Sequence, residues 1–110
     1  MRISVSGDKA LVERLEAAVQ ADGAATERPA QQRDPTEQAF GIAEVATVVA
    51  ILTGVAKLIE YLVMVAKALN EDEKQTVRVK TALGVVTLEL HADVSAAELR
   101  RTLASLEAQR

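Results

Sequence analysis

His91 is the only histidine in the chain, and it stands next to Ala92 and Asp93 at the end of an alternating stretch. An imidazole near a carboxylate is a familiar general-base pairing. A base needs something to activate, however. The chain has no cysteine, and Ser4, Ser6, Ser95 and Ser105 lack the G-x-S-x-G setting of a nucleophile elbow. His91 therefore reads as a structural or solvated side chain, and Asp93 as part of the turn before Ser95. Glu71-Asp72-Glu73 suggests a cation site but lacks the ordered ligand spacing of a calcium loop, so it reads as a solvated helix end. Ser6-Gly7-Asp8 could present amides to an anion, yet a helix-capping turn accounts for it in full. There is no Walker motif and no dinucleotide fingerprint. The expectation is no catalytic residue, no metal and no cofactor, with function carried by a surface.

Composition bounds the classes further. The 110 residues make one domain, 49% hydrophobic and 26% charged, which excludes a disordered chain. The apolar residues are small: 20 Ala, 14 Val and 12 Leu against one Phe, one Tyr and no Trp. The absence of cysteine excludes disulfides and thiolate metal sites. A net charge of −3 argues against nucleic acid as a partner. Met1–Ser6 lacks the apolar run of a signal peptide, so a cytoplasmic chain is expected, with a peripheral inner-membrane position as the second choice.

The elements follow from periodicity. Arg2 to Ser6 alternates as a short strand with Ile3 and Val5 inward. Leu11, Val12, Leu15 and Val19 then recur at helical spacing up to Asp22-Gly23, a left-handed cap. Residues 24–37 hold both prolines and read as a loop, with a weakly supported strand around Ala25–Arg28. Phe40 to Leu69 carries charge only at Glu44, Lys57, Glu60 and Lys67, which predicts one long apolar helix over about 38–70, capped by Thr36 and open to a bend or split at Gly54. Val77 and Val79, then Val86, Leu88 and Leu90, predict a hairpin joined through Ala82-Leu83-Gly84. Ser95-Ala96-Ala97-Glu98 is a capping-box pattern before a last helix that carries Leu99, Leu103 and Leu106. The order β-α-α-β-β-α predicts a single α+β domain, a small mainly antiparallel sheet packed with helices.

Wound on a 3.6-residue wheel, the long segment gathers Thr53, Lys57, Glu60, Lys67 and Glu71 into one narrow polar stripe, with Glu44 off it. The rest of its circumference is apolar, more than one sheet can cover. Three fates compete: a core helix, packing against a second copy or another protein, and insertion into lipid. Val45 to Ala56, the longest uncharged run, is shorter than the ~18 residues of a span, so a membrane is not favoured. Packing is preferred, through Val48, Ile51, Leu52, Val55, Ile59, Leu62 and Val63.

The opening Arg2-Ile3-Ser4-Val5-Ser6-Gly7-Asp8, the amphipathic helix, the Ala/Val/Leu-rich segment and the hairpin Thr76-Val77-Arg78-Val79 with Val85-Val86-Thr87-Leu88 resemble a known family. They are similar to the bacterial effector-associated constant component domains of nucleotide-dependent conflict, or immune, systems. The resemblance covers nearly the whole chain. It departs in the polar, proline-containing residues 24–33 and in the Val, Ile, Lys57 and Glu60 of the apolar segment. It implies a non-catalytic adaptor that couples an effector, such as a trypsin-like or caspase-like protease, to its defence system, with self-association expected. The alternative is a small membrane-active effector that inserts its apolar helix when activated.

Overall fold

The computed structural model describes residues 1–27 and 45–106. Strand β1 (Arg2–Asp8) runs directly into helix α1 (Lys9–Ala21). Asp8 marks the change: its Oδ2 accepts the Leu11 N–H at 3.3 Å, which satisfies one of the free donors of the first turn. The helix ends at Asp22 and Gly23, where Gly23 takes φ 85, a conformation costly for any residue with a Cβ. Strand β2 (Ala25–Glu27) follows, so the weakly supported strand is present over its described residues. The rest of the expected 24–37 loop, residues 28–37, and the proposed Thr36 cap lie outside the described residues.

The long helix is not one helix. Its described part is strand β3 (Val45–Ile51), a turn over 52–54, and helix α2 (Val55–Ala66). The break comes at Gly54, and residues 38–44 of the expected helix are outside the described set. β3 pairs along its whole length with β1, Arg2 opposite Ile51 and Asp8 opposite Val45. The physical reason is the content of VATVVAI. Its β-branched residues pack well on a pleated surface, and an interior strand covered on its core side shows no clear alternation when Ala and Val serve on both faces.

Strands β4 (Lys74–Thr81) and β5 (Gly84–His91) form the expected hairpin around Ala82-Leu83. Helix α3 (Ala96–Thr102) and a 3-10 turn (Ala104–Leu106) finish the described chain. Ser95 caps α3, its Oγ accepting the Glu98 N–H at 3.1 Å. All neighbouring strands are antiparallel, in the order β2-β3-β1-β4-β5. The fold is therefore a small α+β domain whose five-stranded sheet is larger by β2 and β3 than the three strands expected.

The helices contact one another and the sheet as a single layer. Between sheet and helices lies one core, including Ile3, Val5, Leu15, Leu58, Leu62, Val77, Leu90, Leu99, Leu103 and Leu106. Five residues expected to form an interface, Val48, Leu52, Val55, Ile59 and Leu62, are only 1–5% exposed and belong to this core. Ile51 is half-buried on β3, and Val63 is half-buried against the core. The surplus apolar circumference came from winding a strand and a helix on one wheel. Taken alone, α2 is an ordinary amphipathic helix with Ala56, Glu60 and Met64 outward.

Leu62→Ala should therefore cost about 2–5 kcal/mol of stability, as a fully buried leucine does. Met64→Ala, on the exposed side of the same helix, should change it by less than ~0.5 kcal/mol. Urea denaturation of the two variants measures the difference. Equal small effects would place Leu62 outside the core.

Candidate functional site

The residues with chemical potential are placed in structural roles. His91 Nε2 lies 3.8 Å from Glu98 Oε2, a half-exposed imidazole beside a surface carboxylate. The His91 carbonyl accepts the Val94 N–H at 3.0 Å, so Asp93 sits inside the turn that it was expected to form. Ser6 Oγ is 2.7 Å from Thr47 Oγ1, tied to β3 and not available to cradle an anion.

In the acidic cluster Glu73 folds back on its own loop. Its Oε1 accepts the Asn70 N–H at 3.1 Å and its Oε2 accepts Gln75 Nε2 at 3.0 Å. The Asn70 amide, then the Gln75 amide, hold its carboxyl below the usual range. Among the described residues no group of three or more His, Cys, Asp or Glu could hold a metal ion.

One polar cluster was not foreseen. At the end of the sheet, where the α1–β2 turn meets the start of α2, a shallow cleft of about 420 Å³ is lined by Asp22, Ala24, Leu52, Thr53, Lys57 and Tyr61 among others. The Tyr61 hydroxyl donates to Asp22 Oδ2 at 2.7 Å. Lys57 Nζ stands 3.9 Å from the same oxygen, 3.5 Å from Glu60 Oε1 and 5.8 Å from the Tyr61 ring centroid. The bond to Asp22, then burial, then the negative charge of Asp22 itself, raises the Tyr61 pKa above its ordinary value. A phenol held this way is a poorer acid than free tyrosine. The cluster fastens the end of α1 to α2 and supplies no activated nucleophile. The available signal was the single tyrosine in an apolar stretch, since a buried hydroxyl seeks a partner. Nothing local identified Asp22, 39 residues earlier, as that partner.

The larger feature is a face. With the helices in one layer, the opposite side of the sheet carries no described helix. Alternation along each strand puts Arg2, Ser4 and Ser6 of β1 there. Through the registers they are joined by Glu27 of β2, Thr47, Val49 and Ile51 of β3, Thr76, Arg78 and Lys80 of β4, and Val85, Thr87 and Glu89 of β5. Two rows cross the sheet: Val49, Ser4, Lys80, Val85, and Thr47, Ser6, Arg78, Thr87. Short hydroxyls and β-branched side chains are interleaved with cations. Arg2 is engaged by Glu27 at 2.7 Å. Lys80 and Val85 are exposed.

Among the described residues no helix is long and apolar enough to cross a membrane. α2, with 12 residues, measures about 18 Å against the ~30 Å of a hydrocarbon core. Comparison with protein-family models, curated proteins and solved structures finds no match.

The Tyr61–Asp22 bond has a measurable signature. Because the folded pKa is raised, its contribution to stability is complete below the unfolded tyrosine value near 10 and is lost as pH rises through the folded pKa. As the chain has one tyrosine, ultraviolet titration of tyrosinate reads this group alone. Asp22→Asn should bring the midpoint back down toward the ordinary value. A midpoint unchanged by that substitution would remove Asp22 as the cause.

Proposed function

We propose that this chain is a non-catalytic protein-interaction module, an adaptor of the effector-associated constant component kind. In this reading it couples an effector enzyme, such as a trypsin-like or caspase-like protease, to a bacterial defence system. The observation that supports it is the one-sided sheet. Among the described residues the helices lie on one face, and the other carries hydroxyls, β-branched side chains and charges of both signs in regular rows, with Lys80 and Val85 exposed. Such a face suits a protein surface of complementary shape better than a small molecule, which seeks a concave pocket. This reading also moves recognition away from the residues first expected to carry it, five of which are committed to the core.

Affinity for a protease effector from the same defence system tests the proposal. Lys80→Glu and Val49→Lys should each weaken binding tenfold or more, with the circular dichroism of the folded chain retained. Met64→Ser, on the outward side of the helix layer, should bind as the parent does. Undiminished binding by both face variants, with loss in the Met64 variant, would assign recognition to the helices instead.

A further inference from the structure

We infer that two copies of this chain pair antiparallel through the outer edge of β5, Thr87 against Thr87, to build one continuous sheet with five strands from each copy. The two edges of the sheet are built differently. β2 has three residues, and its Glu27 and Thr26 side chains are engaged by Arg2 and Gln20. β5 has eight residues, GVVTLELH, with no proline, no lysine and a single acid at Glu89. An exposed edge this long and regular is a template for a further strand, and proteins that must stay monomeric blunt it with lysine, proline or a bulge. None of these devices is present along Gly84–His91, whose register against β4 runs unbroken. Val85, 48% exposed, is one of the four large apolar side chains left exposed among the described residues and stands on this strand, and Leu83, 54% exposed, lies in the turn that leads into it.

The register follows from which backbone groups remain. The two-residue turn makes Thr81 and Gly84 the closing hydrogen-bonded pair, so Gly84, Val86, Leu88 and Leu90 direct their N–H and C=O toward β4. Val85, Thr87, Glu89 and His91 direct theirs outward. The His91 carbonyl is already taken by the Val94 N–H. Complete outward pairs therefore remain at Val85, Thr87 and Glu89, a set that is symmetric about Thr87. A second copy, turned by a two-fold axis normal to the sheet, satisfies all three: Thr87 meets Thr87, and Val85 meets Glu89 from either side. Moving the axis to Leu88 would require the occupied His91 carbonyl. Moving it to Glu89 would set two carboxylates face to face. Moving it to Val86 would leave Glu89 opposite a turn residue. In the Thr87 register side chains also match: Val86 lies beside Leu88 of the other copy on the core side, and the two threonines are neighbours on the other. A self-complementary strand of this kind is what an isologous two-fold contact needs.

This pairing uses an edge and not the face assigned to the effector, and the isolated chain suffices to test it. A negative result would leave the effector-binding test standing. The chain has no cysteine of its own, so introduced ones report cleanly. Light scattering at roughly 10–500 µM, the range of a modest strand-to-strand contact, should show a mass rising toward twice 11.8 kDa. On oxidation Thr87→Cys should yield a covalent dimer, because the two positions face each other within disulfide reach. Val85→Cys alone should not, since its two copies are about four residues, ~13 Å, apart along the strands. Thr87→Pro removes only an outward N–H, as edge strands tolerate, and should leave a folded monomer by circular dichroism. A parent chain monomeric at ~500 µM, a folded Thr87→Pro variant that still dimerises, or equal cross-linking at Val85 and Thr87 would each overturn the pairing. Should the proline variant fail to fold, the cysteine pair decides.

Discussion

The seven-residue antiparallel pairing of β1 with β3 underlies the rest of the fold. It puts the first strand in the middle of the sheet, where β4 can add on its other side and β2 can extend β3. It also fixes which side of every strand is apolar, because Ile3 and Val5 face the same way as Val48 and Ala50. The pairing continues one step past the strands: the Met1 amino group donates to the Leu52 carbonyl at 2.8 Å, and the Leu52 N–H returns the bond at 2.9 Å. A slip of β1 by one residue would turn Ile3 and Val5 away from the side of Val48 and Ala50, so register and core specify each other.

The core that results is made of small parts. Among the described residues Leu and Val, with Ile3, Ile59, Ala50 and Ala66, fill it, and Tyr61 is its one aromatic. Small aliphatics bury little area each, so the domain relies on covering one face of a wide sheet without gaps. Gly7 illustrates how close neighbouring strands come: a Cβ there on β1 would meet the Thr76 carbonyl oxygen of β4 at 3.1 Å. On the other side of the sheet Ser6, though buried, is paired with Thr47 across β1 and β3. The cost of leaving such groups unpaired explains why the only tyrosine hydroxyl reaches Asp22.

Legibility in the sequence differed by element. β1, α1, the β4–β5 hairpin and α3 could be read because each has one wet side, so apolar and polar residues alternate with a clear period. Val45–Ile51 could not, because an interior strand of Ala and Val carries almost no period of its own. Lys57 and Glu60 do mark a true helical face, and extending that face backward across Gly54 produced the long helix. The expected interface inherited that error, since a surplus of apolar surface disappears once half of it is a strand in the sheet. The open face and the β5 edge were beyond reach for a related reason. Which strands lie at the edge depends on pairings between distant segments, and no local pattern states them.

The central position of β1 has a consequence for synthesis. During translation β1 leaves the ribosome well before both of its neighbours, which are encoded far downstream: β3 begins at Val45 and β4 at Lys74. Until they emerge, Ile3 and Val5 have no strand beside them, and α1 has no sheet to lie on. The early chain must wait for its partners with apolar groups in water. The hairpin, whose strands are adjacent, can close as soon as it is made. Long-range pairing of this kind slows folding relative to helical domains of the same length. In this molecule the central strand is made long before the strands that hold it in place.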